Sequence, residues 1–289
     1  MSHSRNILRI LLITLPLQAA FAEPLQLVLQ NGRSIPVSAL SLEGDKLVLK
    51  TAVEGFTAGQ SMPLTMADHV YGEKPAETNQ AIALILSGNP KEAQTLLTRV
   101  VEEHRITAKI PGNFWLEAAR ALLVACAINN DSADATSIGK EISDATPAQG
   151  IDPFVSLGKA LLMPVLTTSS EDRAIALSNL TTDNLPADLR AYASFFRGNI
   201  LKKEKKNAEA LEAYLAVTCL HPSGGLILNA AAELQAADML LELKRRQEAL
   251  ALVQSALRVT TGTVFADEAK KRFTSLKEYE PSTPSSNQP

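Results

Sequence analysis

Residues 198–222 read GNILKKEKKNAEALEAYLAVTCLHP, and the spacing within this stretch decides how the rest of the chain is read. Gly198 and Ala210 are twelve apart, Tyr214 follows four on, and Val217 and Pro222 complete the run. Ala210, Tyr214 and Val217 share one face of a helix, because side chains three and four apart are neighbours. Pro222 cannot continue that helix. The lysine-rich segment between Gly198 and Ala210 then reads as a turn between two helices packed closely where one side chain is absent.

The register extends in both directions. Ala93, Ala135, Ala174, Ala210 and Ala249 mark a second helix in each of five pairs, at intervals of 42, 39, 36 and 39 residues. A proline stands twelve residues beyond three of them, at Pro147, Pro186 and Pro222, where a helix of about three turns should stop. Around Ala93 a helix ends at Gly88 and Pro90 opens the next, with Leu96, Leu97 and Val100 on one face. In the fifth pair Ala237, Leu240, Val253 and Ala256 take equivalent places. Composition agrees: Ala and Leu supply 83 of the 289 residues, and both form helices readily.

On these residues the chain resembles the tetratricopeptide repeat (TPR) family, with Gly198, Ala210, Tyr214 and Pro222 matching its pattern residue by residue. Ala81, Ala93 and Leu97, and Ala237, Ala249 and Val253, match more loosely. The family repeat is about 34 residues, so the longer intervals here imply extended loops or helices. The resemblance implies a mainly α fold, an α-solenoid of about five helical hairpins over residues 75–278, with a concave groove that binds a partner peptide or protein. In the fourth pair the groove face would carry Tyr192, Phe195, Asn199 and Lys202, at helical spacing, and polar Asn and Lys beside aromatics would suit an acidic group. Gln235 and Asp238 would follow in the fifth pair, where Asp238 would repel a carboxylate. Residues 266–277 alternate charged and apolar positions and read as a capping helix with one wide polar face.

Ahead of the helices the period changes to two. Leu25, Leu27 and Leu29 lead to Asn31-Gly32, then Ile35, Val37, Leu40 and Leu42, then Glu43-Gly44-Asp45 and Leu47 to Leu49. This predicts a small antiparallel β meander within residues 23–74, with a further short strand near 61–65 and a linker at 72–75. So small a unit has little core of its own and should lean on the helices.

Residues 1–22 carry Arg5 and Arg9, an apolar stretch from Ile10 to Leu17, and Ala20-Phe21-Ala22 before Glu23, the order of a secretory signal peptide. The protein is therefore expected outside the cytoplasm, in the periplasm. Secretion would permit a disulfide between Cys126 and Cys219, which spacing alone neither demands nor forbids. Residues 279–289 hold almost nothing to bury and are expected to be disordered.

No catalytic constellation emerges. The glycines form no phosphate-binding fingerprint. His69, His104 and His221 lie in separate regions without the pairing of a helical zinc site, His221 being placed where a helix C-terminus would favour a cation. Ser223-Gly224-Gly225 lacks the form of a nucleophile elbow, and Cys219 near His221 has no orienting third group. Asp68 and His69, where the two parts of the chain meet, are the place an enzyme site would need to form. With 28 basic against 31 acidic residues and a single Trp, Trp115, a nucleic-acid surface is not indicated. The reading is a non-enzymatic protein-binding scaffold of the bacterial envelope, with no cofactor and no metal. Two basic clusters, Lys202 to Lys206 and Lys244 to Arg246, each precede a second helix and would share one edge of the stack. They offer the alternative of an envelope assembly factor acting at a membrane surface.

Overall fold

The computed structural model describes residues 25–146, 150–260, 263 and 265–278. Residues 1–22, expected to be a signal peptide, Pro147, and residues 279–289, expected to be disordered, lie outside the described residues.

Ten helices pair into five hairpins: α1 (Ala76–Leu86) with α2 (Pro90–His104), α3 (Trp115–Ile128) with α4 (Ser132–Ala145), α5 (Pro153–Leu161) with α6 (Ser170–Ser178), α7 (Ala187–Lys203) with α8 (Asn207–Cys219), and α9 (Leu226–Glu242) with α10 (Arg246–Val259). A final helix, α11 (Phe265–Glu278), packs on α9 and α10. Arg272 of α11 donates to the Leu234 carbonyl at 2.8 Å and to Asp238 at 2.6 Å, fastening the cap to α9.

The five marker alanines fall in the five second helices, and Ala93, Ala210 and Ala249 are fully buried. Four of the hairpin turns share one geometry. Gly88, Asn130, Lys205 and Lys244 take the left-handed conformation, with φ of 88°, 58°, 59° and 60°. The next residue's N–H returns to a carbonyl five residues back: Asn89 to Leu84, Asp131 to Cys126, Lys206 to Leu201 and Arg245 to Leu240, at 2.7–3.0 Å. This is the Schellman ending of a helix. In these four the marker alanine stands five residues beyond the left-handed residue, and its N–H closes the first turn of the second helix. The repeat is thus set by a backbone turn and a small residue together.

The third hairpin departs from this. Its helices have nine residues each and are joined by residues 162–169 without a left-handed residue, while Ser169 Oγ caps α6 by accepting the Asp172 N–H at 3.0 Å. Pro186 accordingly does not stop α6, which has already ended at Ser178, but directly precedes α7. Pro222 does lie just past the end of α8.

Gly198 sits where α7 and α8 cross. A Cβ there would lie 2.6–2.9 Å from three ring atoms of Tyr214, so only hydrogen fits. The cysteines are both free: Cys126 is buried, where desolvation pushes its thiol up to about 12, and Cys219 is exposed, so the disulfide that secretion would permit is absent.

The N-terminal part has six strands, β1 (Gln26–Leu29), β2 (Ser34–Pro36), β3 (Leu40–Glu43), β4 (Lys46–Leu49), β5 (Ser61–Pro63) and β6 (Ala67–Tyr71). They form two antiparallel three-stranded sheets, in the orders β2-β1-β6 and β3-β4-β5. The second sheet is a meander, but the first is completed by β6 returning to pair with β1, a strand the alternation does not announce. Only Val70 of β6 is buried, and Asp68 and His69 are both exposed. Alternate residues Leu27, Leu29, Ile35, Leu47, Leu49 and Met62 fill one core, which Ile110 from the segment after α2 enters. That segment also accepts the Val70 N–H on the Pro111 carbonyl at 2.9 Å. The β unit therefore leans on the α2–α3 connection.

Candidate partner-binding cavity

The first helices α1, α3, α7 and α9 turn inward, and α1 packs against α9 as well as α3, so the array closes on itself. The space between them is a partly open cavity of about 1000 Å³. Ile82, Ala83 and Ile85 of α1, Ala121 and Val124 of α3, Phe154 of α5 and Leu228 of α9 make its apolar walls. Lys74, Asn79, Gln80, Glu117, Arg120, Asp188 and Tyr192 supply the polar groups.

Most of these polar groups are already satisfied. Arg120 donates through Nε (3.2 Å) and Nη2 (2.6 Å) to Asp152 Oδ2, and its guanidinium lies 4.8 Å from the Phe154 ring centre. Asp152 is fully buried, and its other oxygen accepts the Phe154 N–H at 2.9 Å. The sequence Asp152-Pro153 thus caps α5 and at the same time anchors the arginine. Lys74 Nζ reaches Glu117 at 2.6 Å and Asn79 at 3.0 Å. Opposite charges cancel around the wall, leaving a neutral apolar interior with hydrogen-bonding groups. Tyr192 packs edge-on against Phe154 with ring centres 5.9 Å apart. Its hydroxyl has no hydrogen-bond partner among the described residues. Burial first, then the Glu117 and Asp188 carboxylates, raises its pKa, so it stays a neutral donor and acceptor.

The structure separates the four residues expected on the groove face. Tyr192 lines the cavity. Phe195 does not face a partner: it is 1% exposed, in the core against Phe196 and Tyr214. Asn199 accepts the Tyr214 hydroxyl at 2.8 Å, so it serves the α7–α8 contact. Lys202 donates to Gln235 at 2.7 Å and Asp238 at 2.9 Å, so its charge is already paired within the fold. Asp188 and Tyr192, one turn apart, define the inward face of α7, and the later residues rotate toward α8 and α9. Arg120, Glu117 and Phe154 were missed. A charged pair at i and i+3 in the otherwise apolar run Trp115–Ile128 was the signal available for the first two.

Asp68 and His69 hydrogen-bond to each other at 2.8 Å on the exposed side of β6. Among the described residues no group of three or more His, Cys, Asp or Glu could hold a metal ion.

No protein-family model and no curated protein matches the chain. Among solved structures it is similar to a thermophilic TPR protein from Thermus thermophilus, at 19% identity over 70% of this chain and 100% of that one, with a TM-score of 0.41. The helical array is TPR-like. That description follows from its five hairpins and the small buried residue early in each second helix.

His221, just before the turn at Pro222–Gly224 beside the cavity, is 5% exposed and its Nδ1 has no partner. It is not the helix-end cation expected from sequence. Burial and the nearby Arg190 lower its pKa from 6.5, and burial also lowers that of His104 despite Glu103 and Glu77. A depressed histidine pKa means the unfolded chain takes up protons first, so stability is full above the ordinary value and falls as pH drops through it. The urea midpoint should therefore decline between about pH 7.5 and about pH 5.5, and less so in His221→Gln. An equal decline in the variant would remove His221 from the account.

Proposed function

We propose that this chain is a non-catalytic protein-binding scaffold that residues 1–22 direct across a membrane, into the periplasm, and that it holds an uncharged, extended segment of a partner protein in the central cavity. The observation that carries this reading is the composition of the cavity: apolar walls, cations neutralised by their own carboxylates, and an unbonded Tyr192 hydroxyl. An apolar side chain would bury against Ile82, Val124 and Leu228, while Tyr192 and Gln80 bond the segment's backbone. A free carboxylate finds no unpaired cation there, so a terminal carboxylate is not the ligand. The order of Arg5, Arg9, the apolar stretch and Ala20-Phe21-Ala22 supports export.

A phage-displayed random-peptide library tests the assignment. Peptides selected on the wild type should carry apolar anchors and lack an acidic requirement. They should lose about tenfold or more in affinity for Gln80→Trp, which places a large ring at an exposed position on the cavity wall. Selection of peptides indifferent to Gln80→Trp would reject the cavity as the site.

A further inference from the structure

The two basic clusters remain unused by this reading, and their backbone shows an unusual feature. The left-handed position that ends the first helix of a hairpin is taken by Gly88 and Asn130 in the first two, residues suited to it. In the fourth and fifth hairpins the same position is held by Lys205 and Lys244, for which the conformation is unfavourable. Neither lysine side chain gains a hydrogen bond or ion pair among the described residues in return. The side chains of Lys203, Lys205, Lys206 and Lys244 are all exposed and make no ion pair or hydrogen bond among the described residues. Lys202, bonded across to Asp238 of α9, holds the two turns on the same edge. Residues 202–206 and 242–246 together hold seven cations and two acids, Glu204 and Glu242. Glu204 is engaged by Ser170 Oγ at 2.7 Å, and Arg245 is matched by Glu248. Beside Lys244, Leu241 and Leu243 are 39% and 36% exposed.

We propose that this edge docks on an anionic lipid surface. Lysines on projecting turns are mobile point charges suited to a field of headgroup phosphates. The exposed leucines among them suit the headgroup boundary, where apolar side chains enter beside charged ones. This surface is separate from the cavity, so either assignment can fail without the other.

The test exploits the strained lysines. Lys205→Gly and Lys244→Gly remove charge while relieving the left-handed backbone, so the double variant should melt higher, by roughly 2–4 °C per substitution. The full chain and the chain from Glu23 are floated with phosphatidylcholine vesicles with and without phosphatidylglycerol, which isolates any contribution of residues 1–22. Both should bind the anionic vesicles more tightly, release them as salt is raised, and bind about 30-fold more weakly in the double variant, near fivefold per lysine. A more stable double variant with unchanged vesicle binding overturns the proposal, as does indifference of the wild type to phosphatidylglycerol. Capture by immobilised polyglutamate without vesicle binding would assign the edge to an acidic protein and overturn it equally.

Discussion

Gly198→Ala should destabilise the protein by about 2 kcal/mol. Two effects compete. Alanine is the better helix former by about 1 kcal/mol, so at a solvated position the change would help. Here the new methyl would meet three atoms of the Tyr214 ring at 2.6–2.9 Å, inside van der Waals contact. The ring cannot swing away: Tyr214 is fully buried, packed on Phe195 and held through its hydroxyl by Asn199. Overpacking therefore wins, and α7 must shift from α8. Removing the ring should reverse the sign. In a Tyr214→Leu background Gly198→Ala should be neutral or stabilising by up to about 1 kcal/mol, giving a coupling of about 2–3 kcal/mol in a double-mutant cycle read by urea denaturation. Additive changes would show that the two residues are not in the contact described.

Asp152→Ala should cost about 4 kcal/mol, combining a broken buried ion pair with a lost helix cap. Asp152 has no exposure, while the Arg120 side chain retains 22%. Once Asp152 is gone, Arg120 has only Asp188, 4.0 Å away, and the Phe154 N–H loses its acceptor. The partial hydration of Arg120 keeps the effect at the lower end of the range for buried pairs. Asp152→Asn keeps the cap and the volume, so it should lose about half as much. A loss below about 1 kcal/mol for Asp152→Ala would put the pair among ordinary surface bridges.

The helical array was legible because its rule is local. A small residue must stand where the second helix approaches the first, and Ala93, Ala135, Ala174, Ala210 and Ala249 all occupy second helices. The turns were legible, but the left-handed residue within them was legible at Gly88 and not at Lys205 or Lys244, since lysine carries no mark of that conformation. β6 was missed because Asp68 and His69 interrupt the alternation, and its place beside β1 comes from a long-range return of the chain. The site was harder still. Tyr192, Phe195, Asn199 and Lys202 form one stripe on an isolated helix, but which part of α7 faces inward depends on the closure of α1 against α9. That closure is a sum of small rotations between hairpins, and no single residue encodes it. Asp152-Pro153 could be read as a helix start, yet its partnership with Arg120 spans 32 residues and two hairpins.

The central cavity as the binding site is the central claim, and calorimetric titration tests it most directly. A selected peptide titrated into the wild type and into Gln80→Trp should bind the first at one site per chain and the second at least about tenfold more weakly, with the two proteins unfolding at the same urea concentration. Equal affinities for the two folded proteins would contradict the account.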